Sequence, residues 1–143
     1  MCKIFTKSSK PQVENLVASA VQVREDLAGI ELMHAALLDD FQPYFYTKAE
    51  DWAKVFDYIY FSFKMPDYIR ARMDCEDFAV LMKGLVSALF GLNWFGLVMG
   101  NTPAGYHAWN LFKAENGIWQ LEPQTGEFFL LGEKSYLPQY ILI

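Results

Sequence analysis

An α+β fold is the class this sequence predicts, and three observations predict it. Apolar residues recur at helical spacing up to Gly91. Short segments of strand-like composition follow Gly91, and Asn116-Gly117 supplies hairpin turn chemistry between two of them. Helices first and an antiparallel sheet second is the α+β order.

From Pro11 to Leu38 the apolar positions Val13, Leu16, Val17, Ala20, Leu27, Ile30, Met33 and Leu37 fit one helical face, with Gly29 as a break or a join between two helices. Phe41-Gln42-Pro43 is a connection. Thr47-Lys48-Ala49-Glu50 reads as a capping box that opens a helix carrying Trp52, Val55, Phe56, Ile59 and Phe63, which stops near Met65-Pro66. A third helix starts close to Cys75, with Ala79, Met82, Val86 and Leu89 along its apolar face. Beyond Gly91, residues 94–99, 106–112 and 117–122 read as strands, and 128–131 and 140–143 as further short ones. The expected organisation is one domain over 1–143, with 1–40 as an N-terminal helical segment and 41–143 as the core.

Composition narrows the function classes. The chain has 143 residues, of which 53% are hydrophobic, so it can bury a core and is not a disordered tail. Its net charge is −5 and its twelve basic residues are scattered. A nucleic-acid surface needs a positive stripe to neutralise phosphates, so no nucleic-acid partner is expected. No apolar run reaches membrane-spanning length, and the first residues lack a signal peptide's apolar stretch. The expected location is cytoplasmic, with no membrane partner. Cys2 and Cys75 are the two cysteines and make no disulfide framework. His34, His107 and these cysteines show no metal-ligand spacing, and the glycines form no phosphate loop, so neither metal nor cofactor is expected.

The candidate chemistry centres on Asp74-Cys75-Glu76-Asp77-Phe78-Ala79. Asp74 is a good N-cap, which places Cys75 in the first turn of the third helix. Free N–H groups and the helix dipole favour a thiolate there, whereas Asp74, Glu76 and Asp77 oppose it. Arg70 and Arg72 could pair with Glu76 or Asp77 and offset them. The cation candidate is His107, which shares a strand face with Trp109. A histidine beside a cysteine forms a thiolate–imidazolium pair and protonates a leaving group. His34 reads as a structural or surface residue within the first helix.

Glu122 is the candidate for orienting His107, and hairpin register decides whether they meet. With Asn116-Gly117 as the central turn residues, Glu122 faces Leu111 and is out of reach. With residues 114–117 as the loop, Glu122 faces Trp109 and becomes a diagonal neighbour of His107. The Cys75 N–H would be one oxyanion donor, and Asn93, Asn110, Gln42, Trp52 and Trp109 are candidates for the second. Asn110 lies on the strand face opposite His107, which counts against it. Trp94, Trp109, Asn93 and Trp52 are the candidate cleft lining. Asn101-Thr102-Pro103-Ala104-Gly105 reads as a mobile lip before His107. For each residue a structural reading stands beside the chemical one: a packed cysteine, a half-buried strand histidine, a strand-end glutamate.

The three blocks Asp74–Ala79, Tyr106-His107-Ala108-Trp109-Asn110-Leu111 and Trp119-Gln120-Leu121-Glu122-Pro123 resemble, in order and spacing, the signature blocks of transglutaminase-like proteins. The closest likeness is to the bacterial transglutaminase-like cysteine proteinases, over about residues 70–127. The resemblance implies a papain/transglutaminase-like core, with the nucleophile helix packed on an antiparallel sheet. It also implies a catalytic triad of Cys75, His107 and Glu122, the glutamate standing where aspartate is more frequent. The implied function is a cysteine hydrolase of peptide, isopeptide or side-chain amide bonds that acts through an acyl-enzyme on a protein or peptide substrate. Transfer of the acyl group to an amine is the alternative within that chemistry. The alternative from another class is a non-catalytic binding or structural module that keeps the fold, with the three residues merely packed.

Overall fold

The structure, a computed structural model, describes residues 9–39 and 41–143; the expectation made for Cys2 lies outside them. Eight strands and three helices are present among the described residues, and sheet dominates. A two-stranded sheet joins β1 (Leu16–Ala18) to β3 (Tyr44–Tyr46). The main sheet has the order β2-β8-β4-β5-β6-β7. Its strands are β2 (His34–Ala36), β4 (Phe95–Thr102), β5 (Gly105–Ala114), β6 (Gly117–Glu122), β7 (Glu127–Leu130) and β8 (Leu137–Leu142).

The helices form where local signals are strongest. In α1 (Ala20–Ala28) the Ser19 hydroxyl accepts from the Gln22 N–H at 3.2 Å, and the Gln22 side chain accepts from the Ser19 N–H at 2.8 Å. In α2 (Ala49–Ser62) Trp52, Val55, Phe56 and Ile59 recur at helical spacing and are buried. In α3 (Cys75–Phe90) Asp77 reaches back to the Asp74 N–H at 3.3 Å, and Gly91 ends the helix in the left-handed region at φ 68°.

Alternation along the central strands gives the sheet two packed faces. Val98, Trp109, Leu111 and Ile141 face α1 and the small sheet, in one core with Val23, Leu27 and Tyr44. Phe95, Phe112 and Leu121 face α2 and α3, in a second core with Trp52, Phe56, Met82 and Val86. Burial of each such side chain contributes about 1.5–3 kcal/mol, so the two faces together carry the fold. Strand β8 runs antiparallel to β4, with a bulge at Met99/Gly100. A Cβ on Gly100 would stand 2.1 Å from the Leu137 carbonyl oxygen, so only glycine allows this approach.

Several expectations are corrected here. The described part of the expected helical segment 1–40, residues 9–39, is not one helical run: it gives β1, α1 and β2 in turn. Val13 to Leu38 satisfied helical spacing, but Leu16–Ala18 pairs with Tyr44–Tyr46 and His34–Ala36 pairs in parallel with Tyr140–Leu142. Partners distant in sequence overrode local spacing. His34 is therefore an exposed edge-strand residue and not a helical one. Lys48 is the N-cap of α2, and Thr47 is instead buried, its hydroxyl donating to Asp51 at 3.4 Å. Residues 101–105 are the ends of β4 and β5 around a tight turn, with the Thr102 hydroxyl donating to the Gly105 carbonyl at 3.0 Å.

Candidate functional site

Strands β5 and β6 pair through Asn110↔Leu121 and Ala114↔Gly117, so Glu115 and Asn116 form the turn. One more step of that register sets Glu122 opposite Trp109, with His107 diagonal to it. His107 Nε2 lies 2.7 Å from Glu122 Oε2. With the carboxylate accepting, the ring proton sits on Nε2. Glu122 is 8% exposed. It also accepts from the Gln124 N–H at 3.3 Å and the Tyr136 hydroxyl at 3.4 Å. Burial and the neighbouring Glu122 push the Tyr136 hydroxyl above its ordinary range.

Cys75 opens α3 on the other side of the sheet and stands against β5 at Ala108. Burial is the largest influence on its thiol and raises its pKa; the Ala108 N–H works the other way, and the Glu76 carboxylate adds to the rise. The thiol donates to Glu76 Oε2 at 3.3 Å. Among the described residues no hydrogen bond joins Cys75 to His107. Nor, among the described residues, does an ion pair join Arg70 or Arg72 to Glu76 or Asp77. The structure thus unites His107 with Glu122 and leaves the thiol donating to the Glu76 carboxylate.

The expected cleft residues lie elsewhere. Trp52, Trp94 and Trp109 are all fully buried. Trp52 donates to the Lys113 carbonyl at 2.7 Å and Trp109 to the Gln120 side chain at 2.9 Å. Asn93 accepts from the Phe45 N–H at 2.6 Å. Asn110 is buried under α3 and donates to the Ala79 and Gly96 carbonyls. These are core and connecting groups, so the cleft-lining assignment is corrected. Ring size and polarity alone do not distinguish a wall from a core. Among the described residues no group of three or more His, Cys, Asp or Glu could hold a metal ion, and no helix is long and apolar enough to cross a membrane.

Two openings flank Tyr136. A recess of about 120 Å³ is lined by His107, Thr102, Tyr106 and Tyr136. A larger open cavity, about 720 Å³, lies between residues 29–33 and 131–139. The Tyr136 ring is 5.1 Å from Trp109, 5.1 Å from Phe129 and 6.3 Å from His107. Sequence reasoning missed both Tyr136 and the larger cavity. The available signal was an aromatic residue inside the polar stretch Gly132-Glu133-Lys134-Ser135, which carries no periodicity.

No family model matches the chain, and no curated protein sequence matches it. Solved structures do. One is a PSL1a–E64 complex, 22% identical with a TM-score of 0.72. Another is Polyporus squamosus lectin bound to the human-type influenza-binding epitope Neu5Aca2-6Galb1-4GlcNAc, 21% identical with a TM-score of 0.73. Each match covers 90% of this chain and 50% of the other, so the chain spans about half the length of the structures it resembles. At this identity the likeness is one of fold. It corrects the expectation of a papain/transglutaminase core and of membership among transglutaminase-like cysteine proteinases: the similar structures are those of a lectin, and no transglutaminase-like family model matches. The cysteine protease, hydrolase and acyl-enzyme expectations rested on that resemblance and are left unsupported, and among the described residues no hydrogen bond joins Cys75 to His107.

Proposed function

We propose that this chain is a non-catalytic binding module whose ligand is a saccharide. The observation that carries the reading is the bonding of Cys75, whose thiol donates to Glu76 Oε2 at 3.3 Å and among the described residues has no hydrogen bond to His107. A thiol is a poor nucleophile in that form. The resemblance of nine-tenths of the chain to half of a lectin solved with a bound sugar epitope supports the ligand class. In this reading His107 and Glu122 tie the start of β5 to the end of β6, and Cys75 seats the first turn of α3 against Ala108. A saccharide replaces the protein or peptide partner expected from the sequence.

The test is a glycan array followed by calorimetric titration, with the parent chain and Cys75→Ser side by side, and a casein cleavage assay on both. Binding of a saccharide that survives Cys75→Ser, without cleavage of casein, supports the reading. Cleavage that the parent performs and Cys75→Ser abolishes overturns it.

A further inference from the structure

We propose that the loop joining α2 to α3 docks the protein on an anionic phospholipid surface. Tyr68 and Ile69 enter the headgroup layer, and Lys64, Arg70 and Arg72 meet the lipid phosphates and carboxylates. The contact is interfacial, so it needs no spanning helix, and it does not depend on the saccharide reading. The expectation of no membrane partner rested on spanning length alone, which such a loop does not require. Three observations carry the proposal.

The first is charge. The chain's net charge is −5, yet Lys64, Arg70 and Arg72 crowd into residues 64–72, with Asp67 the one acid among them. None of these three cations has a hydrogen-bond or ion-pair partner among the described residues. The other lysines and arginines there are all held: Lys48, Lys54, Lys113 and Lys134 in ion pairs, Lys10 and Lys83 by backbone carbonyls, and Arg24 is partnered as well. The acids that follow the loop are engaged at the start of α3: Asp74 and Asp77 accept from backbone N–H groups and Glu76 from the Cys75 thiol. Free positive charge thus collects on one loop, and an anionic surface is its complement.

The second is the apolar content of the same loop. Tyr68 is 56% exposed and Ile69 51%, and neither belongs to either core. Phe61 and Phe63 are exposed just before them, where α2 ends. Single exposed apolar side chains are ordinary. Four large ones within residues 61–69, interleaved with cations, have the composition of an interfacial anchor, in which basic side chains lay their stems along apolar surface and reach phosphates with their heads. A protein partner would call for a wider face, roughly 20–30 residues a side, than one exposed hairpin offers.

The third is presentation. Ile69 and Met73 exchange both backbone hydrogen bonds, at 2.9 and 2.8 Å, and close residues 70–72 into a tight loop. Ala71 at its tip has φ 60°, in the left-handed region that residues with a Cβ rarely adopt, and its N–H donates to Asp74 Oδ2 at 2.9 Å. Met65 packs on the core beneath α2 and α3 and fixes the other arm. The exposed side chains therefore stand on a preformed loop, which spares the contact the cost of ordering it.

The experiment is vesicle co-sedimentation of the full chain at low and high salt. One set of vesicles is phosphatidylcholine alone, and in the other a third of the lipid is phosphatidylserine. The parent is compared with Arg70→Gln/Arg72→Gln, with Tyr68→Ser/Ile69→Ser, and with the control Val21→Ser, which lies exposed on α1 across the sheet. All the substituted side chains are exposed and none makes a hydrogen bond in the fold, so the variants keep it, which circular dichroism verifies. The expected result is that the parent binds phosphatidylserine vesicles at low salt, and that high salt or the paired arginine change weakens partitioning about tenfold or more. Tyr68→Ser/Ile69→Ser is expected to weaken it by a similar factor and Val21→Ser to leave it unchanged. Absence of binding, equal binding to both kinds of vesicle, or binding that survives both loop variants overturns the proposal. Release by inorganic phosphate at constant ionic strength, with Tyr68→Ser/Ile69→Ser binding as the parent does, overturns the lipid assignment in favour of a phosphate site. Binding of polyglutamate in preference to vesicles overturns it in favour of an acidic protein partner.

Discussion

His107 and Glu122 meet at 2.7 Å because the hairpin turns on Glu115 and Asn116 and not on Asn116 and Gly117. A shift to the latter would set Glu122 opposite Leu111 and separate the pair. Side chains fifteen residues apart are thus joined by the register of one turn.

Glu122→Ala removes the acceptor used by His107, the Gln124 N–H and the Tyr136 hydroxyl at once. Donors left without a partner in a largely buried position cost roughly 1–3 kcal/mol in total stability. Urea unfolding is expected to show that loss, with Glu122→Gln losing less because an amide oxygen still accepts. An unchanged midpoint for Glu122→Ala would show that water replaces the carboxylate without penalty.

The Cys75 thiol titrates above its ordinary range. Its fold-derived contribution to stability is therefore present below the unfolded thiol pKa and is lost as pH rises through the higher folded value. In a Cys2→Ser background, iodoacetamide is expected to modify Cys75 more slowly at pH 7.5 in the folded chain than in urea, with the folded rate rising only at higher pH. Rapid alkylation of the folded chain near pH 6 would mean an activated thiolate and would remove the main physical support for the binding-module reading.

Two glycines are expected to respond in opposite directions to alanine. A Cβ on Gly100 meets backbone, the Leu137 oxygen at 2.1 Å, so β8 must shift and the cost is roughly 3 kcal/mol or more. A Cβ on Gly84, inside α3, meets nothing within 4 Å, so alanine there is worth about 0.5–1 kcal/mol of added stability. Thermal unfolding of both variants checks the pair. A tolerated Gly100→Ala would contradict the tight β4–β8 bulge.

Burial lowers the Lys83 ammonium to about 8, although its Nζ donates to the Phe95 carbonyl at 2.7 Å. The unfolded chain therefore binds more protons than the folded one between about pH 8 and pH 10.4. The cost of burying the charge is present below pH 8 and relieved as pH rises through that window. Compared with Lys83→Met, the parent is expected to gain stability from pH 8 to 10, by an amount on the order of 3 kcal/mol at most. Parallel stability curves for the two chains would show that Lys83 keeps an ordinary pKa.

The sequence by itself placed α2, α3 and β4 to β6, because each has enough consecutive residues for its own period to stand out; it read further short strands at 128–131 and 140–143, where β7 is Glu127–Leu130 and β8 is Leu137–Leu142. Trp52, Val55, Phe56 and Ile59 at helical spacing, and Asp74 ahead of Cys75, needed no partner to be read. Register was narrowed to two alternatives, one of which the turn at Glu115 and Asn116 selects. Tertiary structure alone decided the rest. Segments 16–18 and 34–36 are three residues long, too short to carry a period, and become strands only through Tyr44–Tyr46 and Tyr140–Leu142. The same holds for Trp52, Trp94 and Trp109, whose composition fits a cleft wall as well as the core they occupy. Cys75, His107 and Glu122 could be placed along the chain, but the proton on the thiol is set by burial, Glu76 and the Ala108 N–H together. Local spacing reports on neighbours a few residues away, whereas strand partners, cavities and the charge state of a side chain depend on groups that only folding brings near.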